Sequence, residues 1–132
     1  MFGGNLSVTL LVEDLGRSVE FYQRVLGFTL VGYWSPVRGK TVQVWHEPGS
    51  PRRATLQAGR SVVGLRADDA GRDGSTGSAE CSIEIEDLDL LHRRVRDHGG
   101  RATRPALDAE GSRWFEVSDP DGHVWIFRQR VE

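Results

Sequence analysis

The sequence predicts an α+β fold made of two tandem βαβββ modules, residues 5–67 and 80–131, in a single domain of 132 residues. Three observations carry the prediction. The same order of elements, a strand, a helix and then several strands, runs twice along the chain. The phrase Leu11-Val12-Glu13-Asp14-Leu15 ahead of the first helix returns as Ile85-Glu86-Asp87-Leu88 ahead of the second. Between the two runs, residues 68–79 are small and polar and read as a linker.

In the first module, 6–12 is rich in β-branched residues and leucine, as a strand requires. Glu13-Asp14-Leu15-Gly16 is a turn. Residues 17–26 place Val19, Tyr22, Val25 and Leu26 at helical spacing, and Gly27 ends that helix as a residue free to take positive φ. A strand over 28–34 meets a Ser35-Pro36…Gly39 turn, and the alternating 41–46 reads as its hairpin partner. Pro48-Gly49-Ser50-Pro51 breaks that strand. Residues 53–58 and 61–67 form a second hairpin about Gly59.

In the second module, 80–86 is a strand. Asp87-Leu88-Asp89 opens a helix running through Val95 to His98, and Gly99-Gly100 stops it. Strand candidates follow at 102–105, 112–118 and 123–129. Asp119-Pro120-Asp121-Gly122 is a strong turn signal between the last two.

Composition narrows the function. A net charge of −2 exerts no broad pull toward nucleic acid or a membrane surface. No apolar run approaches the roughly 18 residues of a membrane span. Met1-Phe2-Gly3-Gly4-Asn5 lacks the basic start and apolar core of a secretory signal, so a cytoplasmic location is expected. The single cysteine, Cys81, excludes an internal disulfide. The sequence has no phosphate-binding glycine loop, zinc-spaced Cys/His set or nucleophile elbow.

Two blocks point to a family. Val12-Glu13-Asp14-Leu15…Ser18…Phe21-Tyr22…Val25-Leu26-Gly27-Phe28 resembles the opening of the vicinal oxygen chelate superfamily, and Gly111-Ser112-Arg113-Trp114-Phe115…Asp119-Pro120-Asp121-Gly122-His123 resembles its closing signature. That superfamily includes glyoxalase I, extradiol dioxygenases, fosfomycin-resistance enzymes and bleomycin-resistance proteins. The resemblance implies concave mixed sheets that form a crevice, domain-swapped or paired in a homodimer. It leaves enzyme and binder open, because the fold hosts both.

Enzymes of the superfamily hold a divalent metal through His and Glu on the first and last strands of each half. The resemblance places those positions at Ser7, Gly64, Glu80 and Ile126. Only Glu80 is a strong ligand type, whereas a first-row ion wants several His, Glu, Asp or Cys groups converging. His46, His92, His98 and His123 match none of the four positions and read as surface histidines. No metal and no other cofactor is expected.

Strand alternation then assigns faces. Taking the metal positions as inward, Ser7, Thr9 and Leu11 line the crevice from the first strand, and Val8, Leu10 and Val12 pack beneath the helices. Glu80, Ser82 and Glu84 face the crevice while Cys81, Ile83 and Ile85 pack inward, which makes Cys81 a core thiol. Trp114, Glu116 and Ser118, with Val124, Ile126 and Arg128, complete the crevice. Arg113 falls on the core side and reads as the frayed start of its strand. Trp34 and Trp45 offer aromatic walls, Gln43 a hydrogen bond, and Arg66 and Arg128 guanidinium contacts.

The expected function is binding and sequestration of a small, partly aromatic natural product, in the manner of antibiotic-resistance proteins, by a self-associating homodimer. The expected ligand site is Ser7, Thr9, Leu11, Trp34, Gln43, Trp45, Arg66, Glu80, Trp114, Glu116, Ile126 and Arg128, with no catalytic residue. The alternative is an enzyme on the same frame: a metal-independent isomerase or cyclase using Glu80, Glu84 or Glu116 as a base, or a metal-dependent lyase or dioxygenase.

Overall fold

A computed structural model describes Met1 and residues 6–68 and 78–129. Its elements run β1 (Val8–Val12), α1 (Leu15–Arg24), β2 (Thr29–Ser35), β3 (Lys40–Val42), β4 (Arg53–Ala58), β5 (Ser61–Ala67), β6 (Glu80–Glu84), α2 (Leu88–Asp97), β7 (Ala106–Leu107), β8 (Arg113–Ser118) and β9 (Val124–Gln129). Strand, helix and strands recur twice, as the α+β prediction requires. Residues 69–77, most of the expected linker, lie outside the described residues. None of the described helices is long and apolar enough to cross a membrane.

The chain divides into two compact units, one built on β1–β5 and the other on β6–β9. In the first unit the strand order is β1-β5-β4-β2-β3, with β1 and β5 parallel and the other pairs antiparallel. Leu10, Leu65 and Ala54 are successive cross-strand partners, as are Val63 and Leu56, and all five are buried. They make one face of the sheet its core. Helix α1 buries Leu15, Ser18, Val19 and Tyr22, a stripe at i, i+3, i+4 and i+7. Tyr22 is fully buried, 5.6 Å ring to ring from Phe28.

Helix α1 starts two residues earlier than the sequence suggested. The Asp14 carboxylate accepts from the Arg17 amide at 3.1 Å, so the residue read as part of a turn is an N-cap. Asp87 does the same for Leu90 at 3.1 Å ahead of α2. The repeated Glu-Asp-Leu phrase is therefore a repeated cap, followed each time by a buried leucine, Leu15 or Leu88.

A second correction concerns 41–46. Only Lys40–Val42 pairs, with Tyr33 facing Val42 and Ser35 facing Lys40. Residues 43–52 are irregular, tied by Trp45 Nε1 donating to the Gly49 carbonyl at 2.9 Å and by the buried Ser35 hydroxyl donating to Glu47. Strand pairing stops at Val42, so the period-two pattern in 41–46 does not extend the strand.

The second unit has the order β6-β9-β8-β7, with β6 and β9 parallel. Cys81, Trp125 and Val117 share one row of its inner face, and Ile83, Phe127 and Phe115 the next. Helix α2 covers that face. His92 meets Phe115 edge-on at 5.0 Å, and the Leu88 amide donates to Gln129 Oε1 at 2.6 Å. Arg113 is no frayed end: its guanidinium makes a two-pronged pair with Asp89 of α2, at 2.9 and 3.0 Å, which draws it to the helix side. The strand expected at 102–105 reduces to an isolated bridge between Ala102 and Val117, and pairing resumes at Ala106–Leu107.

His123 corrects the expectation of four surface histidines. It is 3% exposed, and its Nδ1 accepts from the Ala79 amide at 2.9 Å. The acceptor role puts the ring proton on Nε2. His92 is half-buried, with Nε2 3.0 Å from the Thr103 carbonyl oxygen. His46 and His98 are exposed as expected. His123 belongs to a closed turn: Asp119, 6% exposed, accepts from the amides of Asp121 at 2.9 Å and His123 at 2.8 Å, while Gly122 takes φ +87°. The Asp-Pro-Asp-Gly-His block is thus a clamp that also holds the entry to β6, where Val124 donates to the Ala79 carbonyl.

Candidate functional site

Each sheet has one face outside its core, and the register fixes which side chains stand on it. On the first sheet Thr9, Gly64 and Thr55 are cross-strand partners in one row, and Leu11, Arg66 and Arg53 in the next. Trp34 pairs with Thr41 and, one residue beyond the Tyr33–Ala54 pair, stands beside Arg53. The first row is low, since Gly64 has no side chain. A Cβ at Gly64 would lie 3.0 Å from Thr9 Oγ1, so the threonine hydroxyl leans over the glycine. The second row is tall, with Trp34 43% exposed and both arginines exposed. A small-residue floor flanked by an aromatic and cationic wall suits a flat polar molecule.

On the second sheet the outer rows are Glu80, Val124 and Ser118; then Ser82, Ile126 and Glu116; then Glu84, Arg128, Trp114 and Ala106. Trp114, Glu116, Ile126 and Arg128 are half-buried, and Glu80, Ser82 and Glu84 are exposed. Arg128 Nε lies 3.5 Å from Asp108. No two of Glu80, Glu84 and Glu116 are cross-strand partners, so the register itself does not couple two carboxylates into an acid–base pair. On the reverse side, burial, followed by the nearby charges of Asp119 and Glu80, pushes the Cys81 thiol up from its ordinary pKa. That disfavours thiolate chemistry there.

Of the twelve residues expected to bind ligand, the structure groups Thr9, Leu11, Trp34 and Arg66 on the first open face. It groups Glu80, Trp114, Glu116, Ile126 and Arg128 on the second. Ser7 is exposed and precedes β1. Gln43 and Trp45 fall in the irregular segment after β3, where strand parity has no meaning. Arg53 and Thr55 join the first open face beyond the expected set, and the 53–58/61–67 hairpin sets them opposite Arg66 and Gly64.

The superfamily's metal positions can be tested sheet by sheet. In the first, Gly64 faces Thr9, one row from Ser7; in the second, Ile126 faces Ser82, one row from Glu80. The two halves therefore place these positions alike. The chemistry does not fit a divalent ion: each sheet offers one residue without any donor side chain. Among the described residues no group of three or more His, Cys, Asp or Glu could hold a metal.

Comparisons with known proteins agree with this frame. The profile of the Glyoxalase/Bleomycin resistance protein/Dioxygenase superfamily matches residues 6–127. A bleomycin resistance protein of Geobacillus stearothermophilus is 27% identical over 135 residues, covering 93% of this chain and 94% of its own. Among solved structures, TioX from Micromonospora sp. ML1 superposes with a TM-score of 0.77 at 23% identity, over 97% of this chain and all of TioX. A bleomycin-binding protein complexed with bleomycin gives 0.69 at 22% identity, over 98% of this chain and 100% of that one. With its profile matched over almost its whole length and the fold shared, the chain belongs to the glyoxalase/bleomycin resistance protein/dioxygenase superfamily.

Proposed function

We propose that this protein binds and sequesters a small, partly aromatic natural product without a metal and without turning it over, lowering the free concentration of the compound by mass action. The observation that carries this reading is a pair of open sheet faces that keep tryptophans accessible, Trp34 and Trp114, while Gly64 and Ile126, which stand where the family resemblance implies metal ligands, have no donor side chain. The 27%-identical bleomycin resistance protein supports an antibiotic as the ligand class. Assembly as a homodimer in the cytoplasm is part of the proposal.

Tryptophan fluorescence titrated with bleomycin and a panel of aromatic antitumour antibiotics tests it. At least one compound should quench saturably. Trp34→Ala or Trp114→Ala should then weaken binding by about 2- to 12-fold, the worth of one aromatic stacking contact. Failure of every compound to quench, chemical conversion of the bound compound by mass spectrometry, or a stoichiometric transition metal in the purified protein would each refute the reading. Light scattering on the same samples checks the dimer.

A further inference from the structure

We propose that the open face of the first sheet holds an anion-receiving site made by Arg53 and Arg66, and that the ligand presents a carboxylate, or a comparable two-oxygen anion, to it. This rests on the sequestration reading for the aromatic part of the ligand, and the arginine pair itself is independent of it.

Arg53 and Arg66 are direct partners in the β4–β5 register. Their neighbours Ala54 and Leu65 are buried, so alternation sends both guanidiniums to the same outer face. Like charges directly opposite each other on antiparallel strands destabilise the pair. A fold normally relieves this with an intervening carboxylate, and here none does: neither guanidinium is in an ion pair among the described residues. Two arginines of the second sheet show the contrast. Arg113 is matched by Asp89 at 2.9 Å and Arg128 lies 3.5 Å from Asp108.

The row around the pair adds selectivity. Leu11 stands on one side of it and Trp34 on the other, and the lower row of Thr9, Gly64 and Thr55 runs alongside. Two planar forks opposite each other match the two oxygens of a carboxylate, and Trp34 beside Arg53 offers a ring face to the group that carries it. The second sheet's open face bears Glu80, Glu84 and Glu116 against Arg128, so an acidic ligand has a charge reason to choose the first sheet.

The test compares 2-naphthoate with its neutral amide, 2-naphthamide, by tryptophan quenching, and adds thermal melting in inorganic phosphate against chloride at equal ionic strength. Wild-type protein should bind the acid about tenfold tighter than the amide. The double variant Arg53→Gln/Arg66→Gln should lose that preference and bind the acid and the amide alike. Phosphate should raise the wild-type melting temperature more than that of the double variant. Arg53→Glu, which turns the repulsive pair into an attractive one, should melt no lower than wild type while losing the preference for the acid.

Equal binding of acid and amide by wild-type protein overturns the arginine site and leaves sequestration standing. If neither naphthyl compound quenches but the phosphate effect vanishes with the arginines, the site stands and the aromatic reading fails. A double variant of altered oligomeric mass, or one that melts well below wild type, would mean the pair serves an interface or the fold, and overturns the proposal.

Discussion

Replacing Asp119 by alanine should cost the protein about 3 kcal/mol. The carboxylate is 6% exposed and accepts from the amides of Asp121 at 2.9 Å and His123 at 2.8 Å. Alanine leaves both amides without that acceptor, in a turn that also positions His123 to receive the Ala79 amide. A hydrogen bond to a charged group contributes about 1.5 kcal/mol at the low end of its range, so two give about 3 kcal/mol. For a chain of this size that lowers the melting temperature by roughly 10 °C. Asp119→Asn keeps an acceptor oxygen and loses the charge, so its loss should be about half as large. Circular dichroism melts of the three proteins measure this directly. If the alanine variant melts within about 2 °C of wild type, the turn is not the clamp described and Asp119 must owe its place in the signature to something else.

Two further outcomes follow from perturbed ionisable groups. Cys81 is half-buried on the inner side of its sheet rather than in the core, and burial raises its thiol above its ordinary range. Near pH 8 the folded protein should therefore react with a disulfide reagent more slowly than free cysteine, and urea should restore the free rate; equal rates in both states would contradict a shielded thiol. The hydrogen bond from Arg113 holds Asp89 below the usual carboxylate value of 3.8. Its contribution to stability is therefore complete above that value and disappears as pH falls through the lower folded one. Asp89→Asn should be less stable than wild type at neutral pH and match it in strong acid, so a gap that persists in strong acid would show that the pair acts by packing.

The architecture was readable because its signals are local. Period-two runs gave β4, β5, β8 and β9 nearly to the residue, and Gly99 closes α2 with φ +78°, whereas α1 ends at Arg24, three residues before Gly27. Readability failed where a side chain's partner is distant in sequence. His123 looks like an exposed residue after a turn until the Ala79 amide, 44 residues away, is seen to donate to it. Arg113 looks misplaced until Asp89, 24 residues away, arrives on α2. The segment after β3 failed differently: Thr41, Gln43 and Trp45 alternate like a strand, but Trp45 donates to Gly49 within the loop and Glu47 accepts from Ser35 of β2. A pattern supplies the possibility of a strand, and the neighbouring strand decides whether it forms.

The residues that carry the family resemblance explain why it predicts the frame and leaves the ligand open. Asp14 caps α1, Tyr22 and Phe28 fill the first core, Phe115 lies in the second, and Asp119, Gly122 and His123 close a turn. These stand in caps, cores and turns, and Trp114 is the member of the closing block that reaches an open face. Thr9, Gly64, Arg53, Arg66 and Trp34, which form the first open face, belong to neither signature block. Alternation lets a strand hold its buried partners fixed while every second residue changes without cost to the core. Leu65 can stay beneath the sheet whether glycine, glutamate or arginine stands beside it on the other face. Gly64, where the resemblance places a metal ligand, and the cationic pair stand in adjacent rows of the same open face, and the chemistry of this protein is to be sought on that face before any motif.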